Sequence, residues 1–150
     1  GGLGYIDARL RNVTPVNSAA QPGVASGNRV PFVSEWSARA SLSYRAPLTS
    51  WGIQNAGPGT EVFGRLDYSF IGENFYDAAN LGLVDDVHLL SARFGVQWGQ
   101  SEIYIFGENL INAQYLTANR AFGTPASGGA PFGASAARGL LVGVGATVRW

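Results

Sequence analysis

The clearest alternation in the chain runs from Glu35 to Ala46. It sets Trp36, Ala38, Ala40, Leu42, Tyr44 and Ala46 in one phase against Ser37, Arg39, Ser41, Ser43 and Arg45 in the other, without an exception. Successive side chains of a strand point to opposite faces, so this segment predicts a strand with one face in an apolar medium and one near water. The same rhythm returns from Glu61 to Glu73, with Val62, Gly64, Leu66, Tyr68 and Phe70 opposite Glu61, Phe63, Arg65, Asp67, Ser69, Ile71 and Glu73, where Phe63 and Ile71 blur the polar face. It recurs from Val87 to Trp98, where His88, Leu90, Ala92, Phe94, Val96 and Trp98 oppose Ser91, Arg93 and Gln97. The last stretch, Arg138 to Trp150, places Leu140, Val142, Val144, Ala146, Val148 and Trp150 opposite Gly143, Gly145, Thr147 and Arg149.

Two further strands are less clean. Gly4 to Asn12 alternates Ile6, Ala8 and Leu10 against Asp7, Arg9 and Arg11, and Glu102 to Leu110 carries apolar bulk on both faces, Ile103 and Ile105 against Tyr104 and Phe106. Loops rich in Gly, Pro, Asn and Ser separate the strands at Val13 to Val33, Pro47 to Gly59, Tyr76 to Asp86 and Asn112 to Ala137, and Gly99-Gln100-Ser101 is short enough for a hairpin. Six strands and no helix make an antiparallel meander the simplest topology.

The apolar medium is either a protein core or lipid. With 150 residues the chain is long enough for one domain with a core. No run of 18 apolar residues predicts a transmembrane helix, whereas a transmembrane strand needs only about 10 alternating residues. Aromatic positions favour lipid. Antiparallel pairing brings Tyr44, Trp98 and Trp150 to one level of the apolar phase, and Trp36, Tyr68 and Phe70 to the other, as in the interface girdles of a barrel. Arg9, Arg11, Arg39, Arg45, Arg65, Arg93 and Arg149 all fall in the opposite phase. An arginine facing lipid at the midplane costs about 2–4 kcal/mol, so charge helps to specify register. We therefore expect an all-β fold, an antiparallel transmembrane β-barrel meander of about six strands. A soluble β-sheet binding module is the alternative that alternation alone leaves open.

A family resemblance sharpens this expectation. Ile103-Tyr104-Ile105-Phe106 followed by Asn109-Leu110-Ile111-Asn112-Ala113-Gln114-Tyr115 resembles the Asn-Leu-x-Asp/Asn-x-x-Tyr segment near the penultimate strand of TonB-dependent outer-membrane receptors. Tyr68-Ser69-Phe70 leading to Tyr76-Asp77, Asn80 and a strand through Arg93 is similar to the preceding hairpin of that family. The closing strand with its terminal aromatic follows the pattern too. Asn112 stands where Asp is more usual and Trp150 where Phe is.

The resemblance covers the whole chain and implies the six C-terminal strands of a 22-stranded barrel in the bacterial outer membrane, plugged by a domain that is absent here. It implies uptake of a scarce ligand such as a ferric siderophore, passed inward when TonB acts on the plug of the same parent chain. The three long loops would be extracellular and the Gly99 turn periplasmic. Pro47 to Gly59 would be periplasmic as well, and it is longer than such barrels prefer on that side. A passive porin or structural barrel is a different class of the same architecture.

Composition bounds the chemistry. Ten acids balance ten bases and charged residues make up 13% of the chain, so no nucleic-acid-binding field is expected. All ten bases are arginine, whose planar fork pairs with carboxylates. Cysteine is absent, and methionine is absent even at position 1, so we expect a processed product or a piece of a longer protein. His88 is the single histidine, in the apolar phase near a strand end, which speaks against a histidine-based catalytic or metal site. No enzyme, cofactor or metal site is expected. Candidate ligand contacts are Arg39, Arg65 and Arg93 on the lumen phase and Asn119, Arg120 and Phe122 in the last long loop. Ion pairing within the wall, or with the plug, is the competing role for the three lumen arginines.

Overall fold

The computed structural model describes residues 1–14, 22–121 and 132–149. Six strands form one antiparallel sheet: β1 (Gly2–Tyr5), β2 (Trp36–Pro47), β3 (Glu61–Ile71), β6 (Val87–Trp98), β7 (Ser101–Glu108) and β10 (Leu141–Val148), paired in that order. Two short hairpins, β4 (Asn74–Phe75) with β5 (Leu83–Val84) and β8 (Leu116–Ala121) with β9 (Phe132–Ala136), stand in the β3–β6 and β7–β10 connections. The expected meander is present. Within the expected loops Tyr76 to Asp86 and Asn112 to Ala137, β5, β8 and β9 are strands that their turn-rich composition did not suggest.

Register aligns the apolar phases across strands. Tyr44, Gly64, Phe94, Ile105 and Val144 form one continuous row from β2 to β10, and Ala46, Val62, Val96, Ile103 and Ala146 form the next. This settles the ambiguous strand: Ile103 and Ile105 join the apolar face, and Tyr104 and Phe106 lie on the polar one. Among the described residues the apolar face is covered only beside the β2–β3 connection, where Val62 is 2% exposed and the Trp51 ring lies near Phe94. Leu42 and Val144 are each 70% exposed, and the buried hydrophobic residues among those described are Val62, Phe63 and Val87.

The first strand differs from expectation. It spans Gly2–Tyr5, with Leu3 opposite Ala38 and Tyr5 opposite Trp36, so Leu3 and Tyr5, not Ile6, Ala8 and Leu10, extend the apolar face. Beyond Tyr5 the chain leaves the sheet. Backbone bonds from Leu10 to Asn28 and from Val30 to Ala8 instead tie residues 8–10 to residues 28–30. Arg9 pairs with Asp7 at 2.7 Å and reaches Glu35 at 3.5 Å, while Arg29 binds Glu35 at 2.6 Å and Glu73 at 3.3 Å. Partners far along the chain thus override a local alternation that continues to Leu10.

Glycines fill a specific need on the polar face. Tyr104 lies opposite Gly145 and Phe106 opposite Gly143, and each ring occupies the volume that a Cβ would take on the facing residue. Gly95 is enclosed more tightly: a Cβ there would collide with the Ile103 carbonyl and lie 2.6 Å from Tyr104 Cβ and 2.8 Å from Phe63 Cζ. Aromatic rings lying over strand glycines recover contact that glycine alone lacks.

Because the Ile103 carbonyl is backbone and cannot swing away, Gly95→Ala should lower stability by about 1–3 kcal/mol. Gly143→Ala meets only the end of the Phe106 ring and should cost less. Urea unfolding of the two variants of the full-length protein, folded in detergent micelles, orders them.

Candidate functional site: the polar wall and the loop platform

The polar phase of β2, β3, β6 and β7 presents a wall of arginines, and their partners separate them into distinct kinds. Arg65 is committed to Asp67 two residues on, its Nε donating at 2.7 Å and an Nη at 2.8 Å to the two carboxylate oxygens, and Ser41 Oγ donates to the same carboxylate at 2.7 Å. Residues i and i+2 share a strand face, which is why so short a spacing suffices. Arg45 spans three strands, reaching Glu61 at 3.1 Å and Gln97 at 2.7 Å.

Arg93 is the most enclosed of the three predicted lumen arginines. It pairs with Glu102 at 2.7 Å, and its guanidinium carbon stands 3.5 Å from the Tyr104 ring centroid and 5.3 Å from that of Phe63. Cation–π contact of this kind adds roughly 0.5–1 kcal/mol at an exposed site. Arg93 therefore holds the wall together. Arg39 is different: it is exposed, makes no ion pair among the described residues, and faces Gly2 and Ser69 across its two neighbouring strands. Small neighbours leave its fork clear.

Of the remaining predicted contacts, Asn119 and Arg120 lie on β8, paired with Ala134 and Gly133 of β9. Phe122 lies outside the described residues. The predicted aromatics on β2, β3 and β6 lie in the apolar phase of their strands. Trp36 packs on Tyr5 with ring centroids 4.7 Å apart, and Tyr68 and Phe70 lie beside His88. Tyr44 stands in the row of Phe94, four residues short of Trp98 along β6; Tyr44 and Trp98 are each about half exposed, and Trp150 lies outside the described residues. His88 bridges Asp86, 2.8 Å from Nε2, and the Tyr68 hydroxyl, 2.6 Å from Nδ1, at the strand rim.

The segments that carried the sequence resemblance are turn locks. Asn109 takes a left-handed backbone with φ of 51°. It is 7% exposed, and its side chain donates to the Ala113 and Arg138 carbonyls while accepting from the Ala113 amide. Asn112 repeats the left-handed geometry and accepts from the Leu140 amide at 3.1 Å, tying the turn to the entry of β10. In the other hairpin Asp77 accepts from the Leu81 and Gly82 amides. Asn80 and Arg29 exchange two hydrogen bonds, at 2.6 and 3.0 Å. Asn28 donates to the Gly23 and Ala78 carbonyls. Residues 22–35 and the β4–β5 hairpin thus form one joined platform at the long-loop end. Sequence reading missed this joint. The left-handed tolerance of asparagine was its available signal.

Removing the Asn109 amide deletes three hydrogen bonds at about 1 kcal/mol each, so Asn109→Ala should lose on the order of 3 kcal/mol. Amide exchange across residues 110–115 of the full-length protein should quicken, with β3 unaffected.

No family model matches the chain. Among solved structures it is similar to the ferric yersiniabactin uptake receptor FyuA from Yersinia pestis, with 23% identity and a TM-score of 0.64, over 81% of this chain and 17% of that one. The chain thus spans about a sixth of the length of the receptor it matches. The likeness shows the fold: this chain has the antiparallel β-structure of a section of a β-barrel.

Proposed function

We propose that the chain is part of a TonB-dependent receptor barrel in the bacterial outer membrane, serving uptake of a scarce ligand such as a ferric siderophore. The observation that carries this reading is the single-layer sheet. Its apolar face is continuous across five strands and, away from the β2–β3 connection, widely exposed, while the arginine ion pairs of the wall gather on the other. Lipid satisfies such a face, and Trp36 and Trp98 towards its opposite ends suit interface positions. The resemblance of Asn109 to Tyr115 and the likeness to a ferric-siderophore uptake receptor both support it.

On this reading the open edges of β1 and β10 meet further strands of the parent barrel, because lipid leaves no water for unpaired backbone groups. The polar wall faces a plug domain from the same parent chain, on which TonB acts, and the loop platform faces outward. Binding and passage are the work, with no bond made or broken. Arg39 is the cation best placed for an anionic chelate, and Asn119, Arg120 and Phe122 supply first contacts in the outer loop.

Two measurements test this. Leu42 lies midway along β2 on the apolar face, so Leu42→Arg should weaken folding into bilayers by about 2–4 kcal/mol, with Ser43→Arg near neutral. Equal effects of the two would remove the lipid assignment. Uptake of a radiolabelled ferric chelate should stop when the TonB system is disabled; uptake that persists would make the barrel passive. In the same assay Arg39→Glu should raise the half-saturating concentration about tenfold, the equivalent of about 1.4 kcal/mol, with Arg65→Gln changing it less.

A further inference from the structure

The segment between β2 and β3 has a length that a simple turn does not need, and its course gives that length a use. The hairpin ladder ends at the Pro47·Glu61 pair and at the bond from the Leu48 amide to the Thr60 carbonyl. Between them, Leu48–Trp51 makes one 3-10 turn closed by Gly52, and Thr60 caps the Gly57 carbonyl through its amide and hydroxyl. No charged residue occurs from Leu48 to Thr60.

The segment turns towards the apolar face. The Trp51 ring lies 6.4 Å from that of Phe94, which belongs to the row Tyr44, Gly64, Phe94, Ile105 and Val144. Phe94 stands four residues above Trp98, about 13 Å along the strand. Leu48, Ile53, Ala56 and Pro58 border a groove of about 470 Å³ whose far wall is Trp98. Trp51 and Ile53 remain 56% and 50% exposed. An uncharged segment that sends a tryptophan back along a lipid-type face has the composition of an interfacial anchor.

We propose that residues 48–60 are a membrane anchor: Trp51 and Ile53 insert among the phospholipids of the leaflet at the short-turn end of the barrel, and the groove beside Trp98 takes an acyl chain. This rests on the barrel reading above. The irregular backbone stays at headgroup depth, since unpaired amides are excluded from hydrocarbon, and only side chains descend.

The test uses the full-length protein in phosphatidylcholine vesicles containing lipid brominated near the headgroup end of its acyl chains. Fluorescence of the wild type minus that of Trp51→Phe isolates Trp51, and the same subtraction with Trp98→Phe isolates Trp98. Bromolipid is expected to quench both contributions at least twofold, with Trp51 poorly quenched by aqueous acrylamide. If bromolipid quenches Trp98 but not Trp51, the anchor is overturned and the barrel stands, whether acrylamide reaches Trp51 (a loop in water) or not (a protein partner over it). If bromolipid quenches neither, the barrel reading falls and takes the anchor with it.

Discussion

Strand register is the constraint on which everything else in this structure rests. Side chains alternate with a period of two, so a slip of one residue anywhere between β2 and β10 would move a row such as Tyr44, Gly64, Phe94, Ile105 and Val144 to the wrong face. The polar side resists the same slip. Arg45 bonds both Glu61 and Gln97 across two strand boundaries, and Arg93 reaches Glu102 from between two rings. Exposed ion pairs are worth only about 0–1 kcal/mol each in stability. Their larger effect is on which pairing is chosen.

The two faces solve packing differently. On the polar side aromatic rings lie over glycines, so Tyr104 and Gly145, or Phe106 and Gly143, form units that neither residue makes alone. On the apolar side the ring contacts between strands among the described residues, such as Trp36 with Tyr5 and Phe70 with His88, lie towards the end of the sheet nearest the long loops, and midway residues such as Leu42 and Val144 stay exposed. Order at the long-loop end comes from asparagine and aspartate side chains that stand in for backbone partners, at Asp77, Asn80, Asn109 and Asn112.

Much of the sheet was legible in the chain itself. The segment Val87 to Trp98 is β6 to the residue, and β2 and β3 depart only at their ends, because their alternation is carried by residues with no competing partner. The first strand was misplaced because a local pattern through Leu10 is indistinguishable from a strand until Glu35 and the backbone around Arg29, twenty or more residues away, draw Arg9 out of the sheet. The facing of Tyr104 was unreadable for a similar reason: what admits the ring is the absence of a side chain at Gly145, forty residues on. Arginine phases were visible, and the difference between a committed Arg65 and an open Arg39 was not, since it depends on which neighbours the register supplies.

A face that over most of its extent packs against no solid neighbour has a consequence for how far such a chain can vary. In a close-packed core each methylene has a fixed socket, and exchanging leucine for valine leaves a void. Leu42 and Val144, 70% exposed within the sheet, have no socket to leave empty. If a fluid covers them, any apolar residue of either size serves nearly as well, and substitutions accumulate there at little cost. The glycine and ring pairs and the asparagine locks have no such freedom. A fold specified in this way can be shared at 23% identity, with its memory held in small residues and turns rather than in the bulk of its hydrophobic surface.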